Sequence, residues 1–323
     1  MQILCIGDPH FRVRNTAETL ILEKETFSVI EEQKIDLVVV LGDVLNDHDI
    51  IHLGPLMRAL NFLRALSRRV LTYVLVGNHD RANNEVYLTS EHPFTAINEE
   101  NLVIVDKPII STFGENNFAF VPYVYKGRFV EALGDLPWKD CRCIFAHQEF
   151  KGVKMGDIIS IDGDEWKEEW PLVVSGHIHT YQVLKNVIYT GSPLYHAYGD
   201  RTIKSFSLLT IGKKIVHSRI PLKSIKKKKT LRIPLCKLEG LQLDPGEEDL
   251  KVVIYGTSDE IKAKSYLICQ KTREWEALGI KVEKKTMSDQ KDIEHEEMPF
   301  RDLLWQEAEV QGLLDIFNLI ETK

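Results

Sequence analysis

The chain of 323 residues lacks the cysteines for a disulfide framework. Cys5, Cys141, Cys143, Cys236 and Cys269 are odd in number, scattered, and contain no C-x-x-C pair. That excludes a small disulfide-stapled scaffold. Cys141-Arg142-Cys143 reads as a redox or metal pair, or as two small hydrophobes of the apolar run that follows. Long apolar stretches are also missing. None approaches the ~18 residues of a membrane helix, so no membrane partner is expected. The amino terminus, MQILCIGD, runs from a short apolar stretch straight into polar residues. It lacks the basic start and longer apolar segment of a secretory signal, so an intracellular, cytoplasmic protein is expected. An excess of positive charge is lacking too: 41 Lys and Arg against 48 Asp and Glu give a net charge of −7, which by itself argues only weakly against nucleic acid as a partner. The exception is KSIKKKKTLR at 223–232, where Lys226, Lys227, Lys228 and Lys229 form the strongest basic cluster. It reads as a solvated loop between domains, as a localisation signal, or as a set of phosphate-backbone contacts.

What is present is an ordinary globular composition, 44% apolar and 28% charged, in a chain long enough for a large domain and a smaller one. ILCIG (3–7), LVVVLG (37–42) and TYVLVG (72–77) are short apolar runs that each end at Gly. Helical patterns over 17–33 and 55–69 lie between them, so strand and helix alternate. From residue 100 the strand signals come closer together, at 102–106, 118–123, 143–148, 171–177, 186–192, 205–211 and 214–220. They predict a more antiparallel half. The expected fold class is α/β: a two-sheet sandwich flanked by helices, with a doubly wound single sheet as the alternative.

The texture changes near 223–232, which sets expected boundaries of 1–222 for the main domain and 223–286 for a small α+β domain. The latter reads as strand 231–235, strand 250–256, helix 258–278 and strand 280–286. Thr257 with Glu260 resembles a capping box, and Gly279 sits where a helix stops. Residues 287–323 begin with the acidic linker SDQKDIEHEEMP and end in an apolar stripe at helical spacing that includes Phe300, Leu303, Leu304, Val310, Leu313, Leu314, Phe317 and Ile320.

The chemistry gathers where apolar runs stop. Asp8 and His10 follow the first, Asp43 the second, and Asn78, His79 and Asp80 the third; His147 ends a fourth, and His177 and His179 a fifth. Carboxyl ends of parallel strands share one rim, so residues distant in sequence can meet there. The i, i+2 spacing of Asp8 with His10, and of His177 with His179, puts each pair on one side of an extended chain. A lone histidine after a strand is an ordinary hydrogen-bonded residue, but five coincident strand ends are hard to assign to chance. Oxygen and imidazole donors without thiolate fit Mn²⁺, Fe²⁺ or Zn²⁺ in a catalytic role. Two carboxylates, one amide and four imidazoles suit two ions roughly 3.5–4 Å apart. Such a pair draws a phosphate ester and lowers the pKa of a water between the ions.

In this order and spacing, D-x-H, GD, GNHD, an isolated His and GHIH resemble the calcineurin-like metallophosphoesterases over residues 8–179. The resemblance implies that Asp8, His10, Asp43 and His179 hold one metal and that Asp43, Asn78, His147 and His177 hold the other. His79 would then face substrate as the acid, with Asp80 orienting it. GHIHTYQVLKNVIYTGSPL (176–194) is similar to the DNA-repair nuclease branch of bacterial SbcD, the eukaryotic meiotic recombination nuclease and the small subunit of the T-even phage recombination endonuclease. In layout the chain is most similar to the phage and viral members. That likeness implies a Mn²⁺-dependent DNA exo- or endonuclease subunit, nucleoid-associated or in a virus-infected host cell. It also implies a DNA-capping domain after residue 230 and a coiled-coil SbcC-like ATPase partner bound by the terminal helix, with core packing on its own domain as the alternative for that stripe. Members of the family pair up, and 55–69 reads either as a homodimer surface or as an amphipathic helix covering the sheet.

The chain departs from the branch after Asp43: Asn46 stands where many relatives place His or Asp to position substrate. His48 and His52 are the nearby substitutes, with plain loop histidines as the alternative. No Arg follows Gly42-Asp43 as in the phosphoprotein phosphatases of this superfamily, which weakens a phosphatase reading. A small-molecule phosphodiesterase or phosphatase of the same superfamily and a non-catalytic scaffold are the remaining alternatives.

Overall fold

The structure is a computed structural model that describes residues 1–286 other than Arg201 and Glu247. The linker and amphipathic stripe expected in 287–323 lie outside the described residues. In chain order the first elements are β1 (Gln2–Ile6), α1 (Thr16–Gln33), β2 (Leu37–Val40), α2 (Leu53–Ser67), β3 (Leu71–Leu75), β4 (Leu102–Val105), β5 (Ile109–Phe113) and β6 (Asn116–Val121). Then come α3 (Phe129–Leu133), β7 (Cys143–His147), β8 (Lys154–Met155), β9 (Ile158–Ile159), β10 (Leu172–Gly176), β11 (Gln182–Leu184), β12 (Val187–Tyr189), β13 (Ser205–Ile211) and β14 (Ile215–Pro221).

Two six-stranded sheets result, ordered β14-β13-β1-β2-β3-β4 and β11-β12-β10-β7-β6-β5. In the first, β1, β2, β3 and β4 are parallel and the β13–β14 hairpin adds antiparallel to β1. In the second, β6, β7, β10 and β12 are parallel, and only the outer pairs β5–β6 and β11–β12 are antiparallel. The second half is thus more antiparallel than the first, as expected, but the antiparallel pairs lie at the sheet margins and its central strands are parallel. The segments between β6 and β7 and between β7 and β10 are long enough to cross over, and α3 lies in the first of them.

Strands buried on both faces read as continuous apolar runs, which is how these appear in the sequence. Ile3, Cys5, Leu37, Val39, Tyr73 and Leu75 of the first sheet pack on Phe118, Phe120, Cys143, Phe145 and Val174 of the second. The alternate residues Leu4, Ile6, Val38, Val40 and Val74 face Leu22, Val29 and Ile30 of α1 and Phe62, Leu63 and Leu66 of α2. On the far side of the second sheet, Ile144, Ala146, Val173 and Tyr189 pack on Phe129, Phe150 and Trp166. Cys143 is a buried strand residue, and all five cysteines are free.

A second compact unit begins at Lys226 and takes in Ala197–Gly199. Its sheet runs β15 (Lys228–Pro234), β16 (Asp249–Gly256), β17 (Lys281–Thr286), all parallel. α4 (Ser258–Ala263) and α5 (Ser265–Ala277) replace the single helix expected over 258–278, with the break at Lys264. Thr257 and Glu260 form the capping box: Thr257 Oγ1 accepts from Glu260 N, and Glu260 Oε2 accepts from Thr257 N. Ile268 and Trp275 of α5 bury against Val252, Ile254 and Ile233.

Phe145 is fully buried between the sheets, whereas Ile161 is 76% exposed. Phe145→Ala is expected to lower stability by about 3–5 kcal/mol in urea denaturation. Ile161→Ala should stay within about 0.5 kcal/mol of the parent protein.

Candidate metal centre

The strand-end residues do meet, though by sharper turns than an extended chain would give. Asp8, His10, Asp43 and His177 all have positive φ (33°, 44°, 49° and 76°), so the side-alternation argument for the two i, i+2 pairs is corrected. Left-handed backbone at non-glycine residues costs about 1–3 kcal/mol each and persists where its surroundings over-determine it. Here they do. His10 N donates to Asp43 O (3.0 Å) and Phe11 N to Val44 O (2.7 Å), tying the turn after β1 to the turn after β2. His177 N donates to Asp8 Oδ1 (2.7 Å) and His79 N to Asp43 Oδ1 (2.9 Å), so backbone amides aim both carboxylates. Gly77 is required by space, because a Cβ there would collide with Asp43 Oδ1 and Asp43 N.

The tautomers follow from partners that can only accept. His147 Nδ1 lies 2.6 Å from Leu41 O and must donate, leaving the neutral ring's lone pair on Nε2. That Nε2 faces Asn78 Oδ1 at 3.0 Å and Asp43 Oδ2 at 3.4 Å. Asn78 presents its oxygen because its Nδ2 donates to Asn84 Oδ1 (3.1 Å), and His177 Nδ1 lies 3.1 Å from the same oxygen. His10 Nδ1 donates to Leu45 O (3.1 Å), so its Nε2 lone pair faces His179 Nε2 at 3.0 Å and Asp43 Oδ2 at 3.6 Å. Two nitrogens bound at right angles to one ion at ~2.1 Å stand about 3.0 Å apart. Asp8 Oδ2 is buried without any hydrogen-bond partner. Acceptors that face acceptors in a dry pocket call for a cation, and this donor set fits divalent ions.

The electrostatics agree. Burial holds His10 well below the usual imidazole range, His177 down to about 3 and His179 down to about 4, so these rings stay neutral with lone pairs available. Burial also pushes the Asp8 carboxyl up to about 7, with the Asp43 charge adding to it. Burial opposes charge on both Asp43 and His147, but each favours the charged form of the other; His147 is pushed up to about 9 and Asp43 held well below the carboxylate range. A proton on His147 thus does in part what a metal ion would do.

All seven expected ligands lie at this centre. Close donor groups include Asp43 with His147 and His177, and Asp8 with His10 and Asp43. His79 sits beside them, 4.9 Å from His10 by ring centroid, with Nδ1 donating to Asn46 O (2.6 Å). The carbonyl of Asn46 orients His79; Asp80 does not. Asp80 is buried and accepts from Leu45 N (2.8 Å), Gly77 N (3.0 Å) and Val44 N (3.3 Å), which makes it the clasp between the two loops. Its expected catalytic role is corrected accordingly. His48 stacks on His79 at 4.3 Å, and both line a cleft of about 350 Å³ with Arg81 and His92. His52 is exposed at the start of α2 and does not join them.

Sequence reasoning missed His196. Its ring lies 4.8 Å from His10 and 4.7 Å from His179. It stands seven positions after the end of β12, beyond the reach of a strand-end rule. The four lysines belong to the second unit. Lys226, Lys227 and Lys229 are exposed, but Lys228 is buried at the start of β15, and Lys229 pairs with Glu248 at 3.0 Å. Lys228 is therefore removed from the expected phosphate contacts.

A family profile described as Calcineurin-like phosphoesterase matches residues 1–217. Over 275 residues the chain is 38% identical to a protein of Invertebrate iridescent virus 6 provisionally named phosphoesterase 244L, covering 81% of this chain and 96% of that one. It is 35% identical over 335 residues to the similarly named 078R of Invertebrate iridescent virus 3, covering 100% of this chain and 96% of that one. A 24% identity over 212 residues relates it to Exonuclease subunit 1 of Enterobacteria phage T4, covering 62% of this chain and 61% of that one.

Asp80→Ala strands three buried backbone donors and should cost about 1–3 kcal/mol in denaturant melts. Divalent-ion affinity should weaken with it, because the clasp shapes the turn that carries Asp43. Unchanged stability with a loss confined to turnover would restore the orienting role to Asp80.

Proposed function

The chain belongs to the calcineurin-like phosphoesterase family, and from that premise we propose that it hydrolyses phosphodiester bonds in DNA with Mn²⁺, as the nuclease subunit of an ATPase-driven assembly. The observation that carries the hydrolytic part is the convergence on Asp43 of groups from four other strand ends. Asp8, His10, Asp43 and His179 would hold one ion, and Asp43, Asn78, His147 and His177 the other. When bound, such ions supply Lewis acidity toward a phosphate and lower the pKa of water.

The chain's own groups do the rest. His79 is anchored at Nδ1 by the Asn46 carbonyl, which leaves Nε2 as the atom that meets substrate. Protonated there, it donates to the developing charge on phosphate and then to the leaving oxygen. The ring of His48, stacked on His79, restricts its rotation.

Two observations support DNA as the substrate. One is the likeness to a phage protein named as an exonuclease subunit. The other is the second unit's own sheet. On the face opposite its apolar core it carries Arg232, Lys251, Lys281 and Lys285 against two acids, Glu283 paired with Lys251 (2.7 Å) and Asp249 with Lys281 (3.7 Å), and the Tyr198 ring lies 5.9 Å from Lys251 and 5.2 Å from Lys281, so the face is net basic. A basic face with an aromatic ring suits a sugar-phosphate backbone. The ATPase partner rests on the apolar stripe of 300–320, read as a helix that enters a groove on another protein.

In Mn²⁺, the parent protein is expected to degrade duplex DNA ends in preference to cyclic nucleotides and p-nitrophenyl phosphodiesters. The reverse preference would give the small-molecule reading its place. His79→Ala should keep both ions and lose about 10²–10⁴ in cleavage rate. Deletion of 299–323 should leave Mn²⁺-dependent cleavage intact while abolishing co-purification with a coiled-coil ATPase, and cleavage lost together with the tail would refute that division of labour.

A further inference from the structure

We infer that His196 is an eighth ligand of the metal centre, forming with His10 and His179 a three-imidazole set for one ion. This rests on the metal-dependent reading above and extends it to a residue that no strand-end motif includes.

Hydrogen-bond accounting carries the inference. His196 Nε2 lies 3.1 Å from the backbone carbonyl of Asp8. A carbonyl only accepts, so Nε2 carries the proton and Nδ1 of the neutral ring carries the lone pair. That Nδ1 is buried and has no hydrogen-bond partner. A buried acceptor without a donor is rare and needs a cause. A packing histidine would have both nitrogens satisfied or one exposed to water, and His196 has neither.

The neighbours indicate what the missing partner is. One ring nitrogen from each of His10, His179 and His196 lies within 4.8 Å of the others. His10 Nδ1 is committed to the Leu45 carbonyl, so the nitrogen it contributes is also a lone pair. The one N–H of neutral His179 can serve His10 Nε2 at 3.0 Å, but the buried Nδ1 of His196 is then still unpaired, whereas one cation would engage all three rings. The carbonyl bond at the far nitrogen is also the device that fixes the tautomer of histidine ligands in general.

The residue is held there from both sides of the chain. His196 N donates to Asp200 Oδ2 (3.1 Å), Asp200 pairs with Lys204 (3.1 Å), and Arg12 Nη2 donates to His196 O (3.1 Å). Arg12 in turn follows His10 by two residues, so the loop that carries one ligand holds the backbone of another. A third neutral imidazole adds no charge, and it moves the preference of that site away from Mg²⁺, which favours oxygen donors, toward Mn²⁺, Fe²⁺ or Zn²⁺.

The test is Mn²⁺ binding to the full-length, chelator-stripped protein, by calorimetry and by metal analysis after dialysis. The parent protein should take up two ions. His196→Ala and His196→Gln should each weaken one of the two sites by at least about tenfold and leave the other unchanged. Two unchanged affinities in both variants would overturn the assignment and make the Nδ1 partner a water. Pulsed electron paramagnetic resonance of the Mn²⁺-loaded parent protein gives a reading that needs no variant: three histidine nitrogens on one ion support the inference, and two on each refute it. A parent protein that binds no Mn²⁺ would instead remove the metal reading itself, and the ligand assignment with it.

Discussion

The structure turns on one carboxylate. Asp43 Oδ1 accepts the backbone amide of His79, and Oδ2 lies within 3.6 Å of His10 Nε2 and 3.4 Å of His147 Nε2. Those partners come from both sheets of the sandwich. Such a group is stable in a dry interior only if positive charge balances it. The surrounding turns are shaped to hold a cation that supplies it: they bring imidazole lone pairs, an amide oxygen and a second carboxylate to the same few ångströms. The left-handed backbone at Asp8, His10, Asp43 and His177 is the conformational cost of that convergence.

The clasp at Asp80 shows how the cost is met. Its carboxylate accepts three backbone amides from the loops after β2 and β3. Three hydrogen bonds to one buried charge fix two loops that have no regular structure of their own. Burial still pushes that carboxyl up to about 6, with the Asp43 charge adding to it, so even these three amides only partly offset its desolvation. The position next to His79 suggested a partner for its imidazole; the geometry gives that place to the carbonyl of Asn46. Asn46 thus acts through a backbone atom, which no side-chain pattern can signal.

Much of the fold was legible because burial on both faces writes a strand as an uninterrupted apolar run, and because the ligands punctuate those runs. ILCIG, LVVVLG and TYVLVG each end where a functional turn begins. The greater antiparallel share of the second half was legible, but which of its strands pair in parallel was not. Closely spaced strand signals look alike whether they pair as hairpins or cross over, and β6, β7, β10 and β12 cross over. The break at Lys264 and the burial of Lys228 were hidden for a related reason. Periodicity reports a preference for a face, whereas the exact end of a helix or the depth of one lysine is set by packing against distant residues. His196 marks the limit on the functional side. Its signal is three-dimensional, an unpaired nitrogen beside two rings, and nothing in YTGSPLYH distinguishes it from a surface histidine.

The turns that converge on Asp43 draw their donors from residue 8 to residue 179. Contacts of such long sequence separation must overcome the loop-closure entropy between them. A chain emerging from the ribosome therefore cannot assemble its cation cage until most of the first unit has been synthesised. Capture of the ion then acts as a molecular checkpoint: it rewards only chains whose two sheets have already docked in register, and it draws the population toward them by mass action.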